Sequence, residues 1–133
     1  MKSTEQQTVG QLERELSQRL QALYRDQLGQ RPSKATCQVF DSKVAIVLEG
    51  SVTQPEQLLA EEGQKELAEQ VRADLDSALR PRIKQLIGEV LQVEVLDLLS
   101  DATLSTGRTG IIAVLSSTPA VRNPESIPKV KPS

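Results

Sequence analysis

The chain has 133 residues and a formal net charge of −2, from 16 basic and 18 acidic side chains, and it contains one Cys, one Phe, one Tyr and no His or Trp. These absences exclude a Ser-His-Asp or Cys-His mechanism, a cysteine-based zinc site and an intramolecular disulfide. The charge and the scarcity of aromatic residues argue against nucleic-acid binding. We therefore expect no catalytic residues, no metal site and no cofactor.

The apolar segments of the sequence are short. None approaches the length of a membrane span, and the first ten residues, MKSTEQQTVG, lack the pattern of a signal peptide. We therefore expect a cytoplasmic protein without membrane insertion, and the length fits one domain.

The first predicted element is a helix over about residues 4–28. Its apolar residues recur at spacings of three to five from Val9 to Leu28, which makes one apolar stripe. Gly29 follows the last apolar position and suits a helix C-cap, with Pro32 just beyond.

Two strands follow. Residues 35–40 alternate, with Cys37 and Val39 on one side, which predicts a half-exposed strand. We interpret Cys37 as a small buried residue; a reactive thiol is the alternative. Residues 44–48 are apolar at every position, which predicts a strand that is covered on both faces.

A long helix is predicted next. Thr53, Pro55 and Glu56 form a capping box at its start, and an apolar stripe continues to Val90. Pro81 predicts a kink or a break near residues 79–80. The basic residues of this helix are expected on its solvated face; they are Arg72, Arg80, Arg82 and Lys84.

A second hairpin completes the predicted domain. Residues 93–99 read as a strand with Val93 and Val95 on one side and Leu96 and Leu98 on the other. Residues 100–110 form a polar loop, and residues 111–115 form a strand that is apolar on both faces. Residues 118–133 hold four of the seven prolines and are predicted to be a disordered tail beyond a single domain over residues 1–117.

The pattern of helix, hairpin, long helix and hairpin predicts an α+β fold. Because the second and fourth strands are apolar throughout, we place them at the centre of a four-stranded antiparallel sheet of order 1-2-4-3. A sheet with two apolar faces needs cover on both. The long helix covers one, and the first helix or a second copy covers the other, so we predict a homo-oligomer, specifically a two-fold dimer.

Arg72 on the long helix is one candidate binding residue, for which a site for an acidic partner is the alternative to a solvated face. The other candidates lie at two places in the sequence. Glu49 and Gly50 end the second strand, where Glu49 is either an acid or base with a raised pKa or a strand-end residue that is paired with a nearby Arg or solvated. The polar loop supplies acceptors, donors and a cation, and its candidates are Asp101, Thr106, Gly107 and Arg108. Thr106-Gly107-Arg108 could present backbone N–H groups and a guanidinium to a small anion, although a solvated hairpin tip explains the same residues.

The stretch VAIVLEGSVTQPEQLLAEEG, with the helix position Arg72 and the hairpin VEVLDLLSDATLSTGRTGIIAVL, resembles the MpsC-like family of small bacterial domains. That family includes the C component of the membrane-potential-generating system, and the resemblance covers about residues 9–115. It implies a link to an inorganic-carbon or sodium-coupled membrane transport system, with a membrane transport protein as partner.

Together these features predict a non-enzymatic cytoplasmic binding or accessory protein. The alternative is a small-anion or metabolite sensor that uses the loop at residues 100–110.

Overall fold

A computed structural model describes residues 6–129, which form an α+β domain with one sheet. The helices are α1 (Val9–Leu28), α2 (Gln54–Glu61) and α3 (Lys65–Leu91). The strands are β1 (Lys34–Phe40), β2 (Lys43–Glu49), β3 (Val95–Thr103) and β4 (Arg108–Leu115), and a 3-10 turn follows at Pro124–Ser126. The sheet has the order β1-β2-β4-β3 with every neighbouring pair antiparallel, so the predicted topology is confirmed.

Helix α1 begins and ends at local signals. Thr8 caps its first turn, because the Thr8 hydroxyl accepts from the Gln11 N–H and the Gln11 side chain accepts from the Thr8 N–H. Gly29 ends the helix with a φ of 76°, and its N–H donates to the Arg25 carbonyl at 2.9 Å. The predicted C-cap is therefore confirmed, whereas residues 4 and 5 of the predicted helix lie outside the described residues.

Both long helices cover the same face of the sheet. α1 packs on β1, α3 packs on β3, and the two helices contact each other. Alternate residues of the two central strands, Val44, Ile46, Leu48, Ile111 and Ala113, are buried beneath them.

The opposite face of the sheet, called here the open face, has no cover among the described residues. There Val47, Leu99 and Ile112 are exposed by 43%, 58% and 36%. α1 therefore does not cover the second face of β2 and β4, so that alternative is wrong, whereas cover by a second copy stays a prediction. Apolar composition identified strands that lie centrally, but it could not show how many layers pack on them.

The second hairpin differs from its prediction in length and in register. β3 continues to Thr103 and β4 begins at Arg108, so most of the predicted loop is strand. A β-bulge lies between Val95 and Asp97, because these two residues pair with the adjacent residues Leu115 and Val114.

The bulge explains an error in the predicted faces of β3. One extra residue, Leu96, shifts the alternation of side chains. Val95 and Leu98 consequently both face the core, whereas the sequence pattern placed them on opposite faces.

The predicted long helix is two helices, and its break lies elsewhere than at Pro81. α2 ends at Glu61, Gly63 takes a left-handed φ of 80°, and α3 then continues through Pro81 without interruption. Leu58 and Leu67, assigned to the apolar stripe, are exposed by 57% and 49%. Within residues 6–129, none of these helices has both the length and the apolarity that a bilayer crossing needs.

The C-terminal segment packs on the domain instead of being disordered over its described part. Val121 and Ile127 are buried in the core. The Asn123 side chain accepts from the Val9 N–H at 2.9 Å, so a residue far away in sequence helps to cap α1. The Arg122 N–H donates to the Gln7 carbonyl. Proline content predicted disorder, but two well-spaced apolar side chains provide the burial that orders the segment. Residues 130–133 lie outside the described part.

We expect Ile127→Ala to lower the free energy of unfolding by about 2–4 kcal/mol, because it removes a buried aliphatic side chain and leaves a cavity. Urea unfolding followed by circular dichroism measures this change. Arg122→Ala, at an exposed position of the same segment, is the control and should stay within about 0.5 kcal/mol of the wild type. Equal, small effects of both substitutions would mean that the segment is not packed.

Candidate functional site

The candidate residues from both parts of the sequence meet at one end of the sheet. Glu49 and Gly50 follow β2 there, and the β3–β4 turn lies beside them. The Arg108 Nε atom lies 3.5 Å from the Glu49 Oε1 atom, and the Gly107 carbonyl accepts from the backbone N–H of Ser51 at 2.9 Å. The fold therefore joins two sets of residues that are more than fifty positions apart in sequence.

The structure explains why position 50 is a glycine, which the sequence alone did not show. Its φ is 68°, a left-handed value that side chains with a Cβ rarely adopt. A Cβ at this position would lie 3.0 Å from the Ser33 Oγ atom and 3.2 Å from the Ser33 nitrogen. Ser33 is held there because its N–H donates to the Glu49 carbonyl at 2.8 Å. Gly50 thus permits β2 to turn close to the residue that precedes β1.

Behind this turn lies a buried polar cluster, called here the junction cluster. Its members are Ser51, Glu56, Arg72, Asp76 and Thr109. At its centre Arg72 and Glu56 are exposed by only 4% and 1%. The Arg72 Nε and Nη2 atoms donate to the two Glu56 oxygens at 2.7 and 2.6 Å, so the pair is bidentate.

The remaining contacts of the junction cluster join four segments of the chain. Arg72 also donates to the Ser51 carbonyl at 3.0 Å and to the Asp76 carboxylate at 3.1 Å. The Ser51 and Thr109 hydroxyls share a hydrogen bond at 2.7 Å, and the Ser51 hydroxyl also donates to the Gly107 carbonyl. These bonds hold α2, α3, the segment after β2 and the β3–β4 turn in fixed relative positions.

Glu56 has two roles, of which the sequence predicted one. Its carboxylate accepts from the N–H and the hydroxyl of Thr53, at 2.9 and 2.7 Å, and so caps α2. The same carboxylate holds Arg72. The capping role follows from local spacing, whereas the pairing with Arg72 depends on how α2 folds back on α3.

The electrostatics of the junction cluster follow from burial and from this pairing. Burial alone would raise the pKa of Glu56, but hydrogen bonds from Arg72 and Thr53 outweigh it and hold the pKa below its ordinary 4.5. The pKa of Asp76 is raised, since burial outweighs its contact with Arg72. Tyr24 lies nearby, and burial together with the Asp76 charge raises its pKa to about 12. Glu56 and Arg72 are therefore held as an ion pair at neutral pH.

The expectation that Arg72 lies on the solvated face of its helix is wrong. Ala68, Arg72, Leu79 and Ile83 all point into the protein from α3. These positions follow the helical spacing of a buried stripe, so an arginine within the stripe was the sequence signal for a buried ion pair. Arg80 is half-buried and donates to the Ser100 hydroxyl at 3.3 Å, while Arg82 and Lys84 are exposed as expected.

A cleft of about 360 Å³ opens beside the junction cluster, between α3 and the end of β3. Its charged lining residues are Lys65, Glu69, Arg72, Asp76 and Asp101, and residues 102–105 complete the wall. Three carboxylates face two cations, and Arg72 is already neutralised by Glu56. This excess of negative charge disfavours an anion in the cleft. Within residues 6–129, no group of three or more His, Cys, Asp or Glu side chains is placed to bind a metal ion.

The donors that an anion would need are used inside the protein. A guanidinium has five N–H groups, and the four hydrogen bonds of Arg72 leave at most one for a ligand. In the turn, the Gly107 N–H donates to the Thr103 carbonyl at 2.9 Å, and the Thr106 hydroxyl points to the same carbonyl at 3.4 Å. The anion-sensor hypothesis stays a prediction that none of these contacts supports.

Cys37 is buried, and its environment is that of a structural side chain. Burial raises the pKa of its thiol to about 11, which the hydrogen bond from Ser17 only partly opposes. A thiol with such a pKa is almost wholly protonated at neutral pH and is a poor nucleophile.

Most of the chain matches a known protein family. A family model described as the Na⁺-translocating membrane potential-generating system (MpsC) matches residues 8–117. The match includes all three helices, all four strands and every member of the junction cluster. No curated protein and no solved structure matches the chain.

We expect Arg72→Met and Glu56→Leu each to lower the free energy of unfolding by about 3–5 kcal/mol, because each leaves a buried charge without its partner. The double variant Glu56→Leu/Arg72→Met should cost much less than the sum of the single changes. Chemical denaturation of the four proteins gives the coupling directly. Additive effects would show that the pair is not coupled.

We expect the folded protein to lose stability as the pH falls below about 4.5. Glu56 has a lowered pKa, so its contribution is complete above the unfolded value of 4.5 and is lost as the pH falls through the folded pKa. Asp76 has a raised pKa and acts in the opposite sense, so it offsets part of this loss.

Urea midpoints between pH 7 and pH 3 test this dependence on Glu56. Glu56→Gln should be less stable than the wild type at pH 7 but should show a flatter decline below pH 4.5. Glu66→Gln, at an exposed position of α3, should keep the wild-type slope. A decline in Glu56→Gln that runs parallel to that of the wild type would contradict the assignment.

Proposed function

Since the chain belongs to the MpsC family, we propose that it is a non-enzymatic, cytoplasmic accessory protein of a sodium-coupled membrane transport system and that it works as a homodimer. The observation that carries this proposal is the open face of the sheet. Val47, Leu99 and Ile112 expose apolar side chains together on the neighbouring strands β2, β3 and β4. A contiguous apolar surface of this kind is typical of a protein that acts by binding another protein.

The chemistry of the junction cluster supports binding over catalysis. A catalytic acid or base must be free to exchange a proton with a substrate. Glu56 and Arg72 are instead bonded to each other, to a helix start and to a backbone carbonyl, all within the fold. Their burial and pairing are explained by the need to hold α2 against α3.

The link to a membrane system is supported by the family's description, a Na⁺-translocating membrane potential-generating system. A protein of 133 residues whose described helices are not membrane spans fits the role of a peripheral component of such a system. Inorganic-carbon transport is the other system that the sequence resemblance implies, and the family's description favours sodium.

We expect the tagged full-length protein to retain an integral membrane transport protein from detergent-solubilised membranes of the native cells, identified by mass spectrometry. The cytosolic fraction of the same cells is the control and should yield no comparable partner. Retention of a sodium-coupled transporter supports the proposal, and retention of an inorganic-carbon transporter would redirect it. If no membrane protein is retained, including after mild chemical crosslinking in cells, the accessory role is wrong.

A further inference from the structure

The open faces of two copies of this chain are complementary in the size and in the charge of their side chains. We propose that a second copy of this chain covers the open face, sheet face against sheet face, with a two-fold axis that lies between the sheets and runs parallel to β2 and β4. This inference rests on the proposed homodimer and assigns its interface.

The register of the two central strands provides the size complementarity. On the open face Ala45 pairs with Ile112, and Val47 pairs with Gly110. The proposed axis places β2 of one copy over β4 of the other. The large Ile112 side chain then lies opposite the small Ala45, and Val47 lies opposite Gly110, which has no side chain. Side chains of facing sheets interdigitate in this way when they pack about 10 Å apart.

Charged residues at one end of the central strands provide the charge complementarity. Leu48 on β2 pairs with Thr109 on β4. Glu49, the next residue on β2, therefore lies beside Arg108, the preceding residue on β4. The axis therefore places Glu49 of each copy opposite Arg108 of the other. Within one chain these two side chains lie 3.5 Å apart, and they keep 37% and 58% exposure, so each can also contact its counterpart in the other copy.

The other end of the open face also carries one cation and one carboxylate. Phe40, Lys43, Val114 and Asp97 form one row across the four strands, with the cation on β2 and the carboxylate on β3. The proposed axis reverses this row in the second copy. Asp97 of one copy then lies opposite Phe40 of the other, and Lys43 of that other copy is on the neighbouring strand. A lysine side chain is long enough to cross the distance of one strand.

The free edges of the sheet are blocked, which disfavours association by strand addition. On β1 the Val39 N–H donates to the Glu13 carboxylate at 2.7 Å. On β3 the Ala102 N–H donates to the Asp101 carboxylate at 2.9 Å, and the bulge at Leu96 interrupts the edge. Carboxylates and bulges on edge strands prevent pairing with another chain. The open face, with exposed apolar side chains on three neighbouring strands, remains available for association.

The size of the open face indicates how strongly two copies should associate. Four strands about 4.8 Å apart and seven residues of about 3.3 Å each give a face of roughly 20 by 23 Å. With its protruding side chains, such a face lies at the lower end of stable interfaces, which bury about 800 Å² per partner. We therefore expect a dimer that dissociates on dilution.

Sedimentation velocity of the full chain at several concentrations tests the interface. The wild type should be dimeric at about 100 µM, and Ile112→Asp should weaken dimerisation at least about 100-fold, because it buries a charge without a partner. Leu67→Asp is the matched control: it makes the same kind of change at an exposed apolar residue on α3 and should dimerise like the wild type. Circular dichroism checks that each variant is folded.

A charge exchange tests the axis with substitutions at exposed positions. Glu49→Arg and Arg108→Glu should each weaken self-association about tenfold, because like charges then face each other twice. Mixing these two variants should restore association as a heterodimer, since every facing pair is again opposite in sign. Contacts within one chain cannot produce this recovery.

Three results would overturn the interface. Dimerisation of Ile112→Asp at wild-type strength would place the contact on another surface and leave the homodimer intact. Wild-type association of Arg108→Glu alone would reject the axis, since an axis perpendicular to the strands places Glu49 opposite Lys43 instead. A wild-type protein that is monomeric at 100 µM would reject the homodimer itself, while the accessory role is judged separately by the membrane retention experiment.

Discussion

The buried pair of Arg72 and Glu56 is the interaction on which the organisation of this domain depends. An arginine with 4% exposure requires a partner that neutralises its charge and acceptors for its N–H groups. Glu56 supplies the first, and the Ser51 carbonyl and Asp76 supply further acceptors. Meeting this requirement fixes α2 against α3 and holds the segment after β2 beside the β3–β4 turn, so the residues that sequence analysis proposed as a site are gathered mainly for structural reasons.

The second determining feature is that α1 and α3 share one face of the sheet. Because both helices pack on the same side, the apolar residues on the other side of β2 and β4 have no partner within residues 6–129. The junction cluster and the open face therefore have different properties. The polar groups of the junction cluster bond to one another, whereas the open face offers apolar side chains that gain from burial against another surface.

This difference suits the accessory role proposed above, because such a component needs a stable scaffold and a surface for assembly. The described C-terminal segment contributes to the scaffold. Through Asn123 and Ile127 it closes the end of the core near the start of α1 and leaves the open face exposed. The proposed function includes no catalysis, because the buried charged groups Glu56, Arg72 and Asp76 are bonded to one another.

Local sequence signals determined much of the fold. The capping positions Thr53 and Glu56, the C-cap Gly29 and the doubly apolar strands β2 and β4 were enough to predict the element types and the strand order. These signals act over a few residues, so they can be read without knowing the tertiary structure. Tertiary packing alone decided the side of the sheet on which α1 lies, the bulge at Leu96, the burial of Arg72 and the docking of Ile127. Each of these depends on a contact between residues far apart in sequence, and the free energy of such contacts overrides what proline content or a helical charge pattern indicates locally.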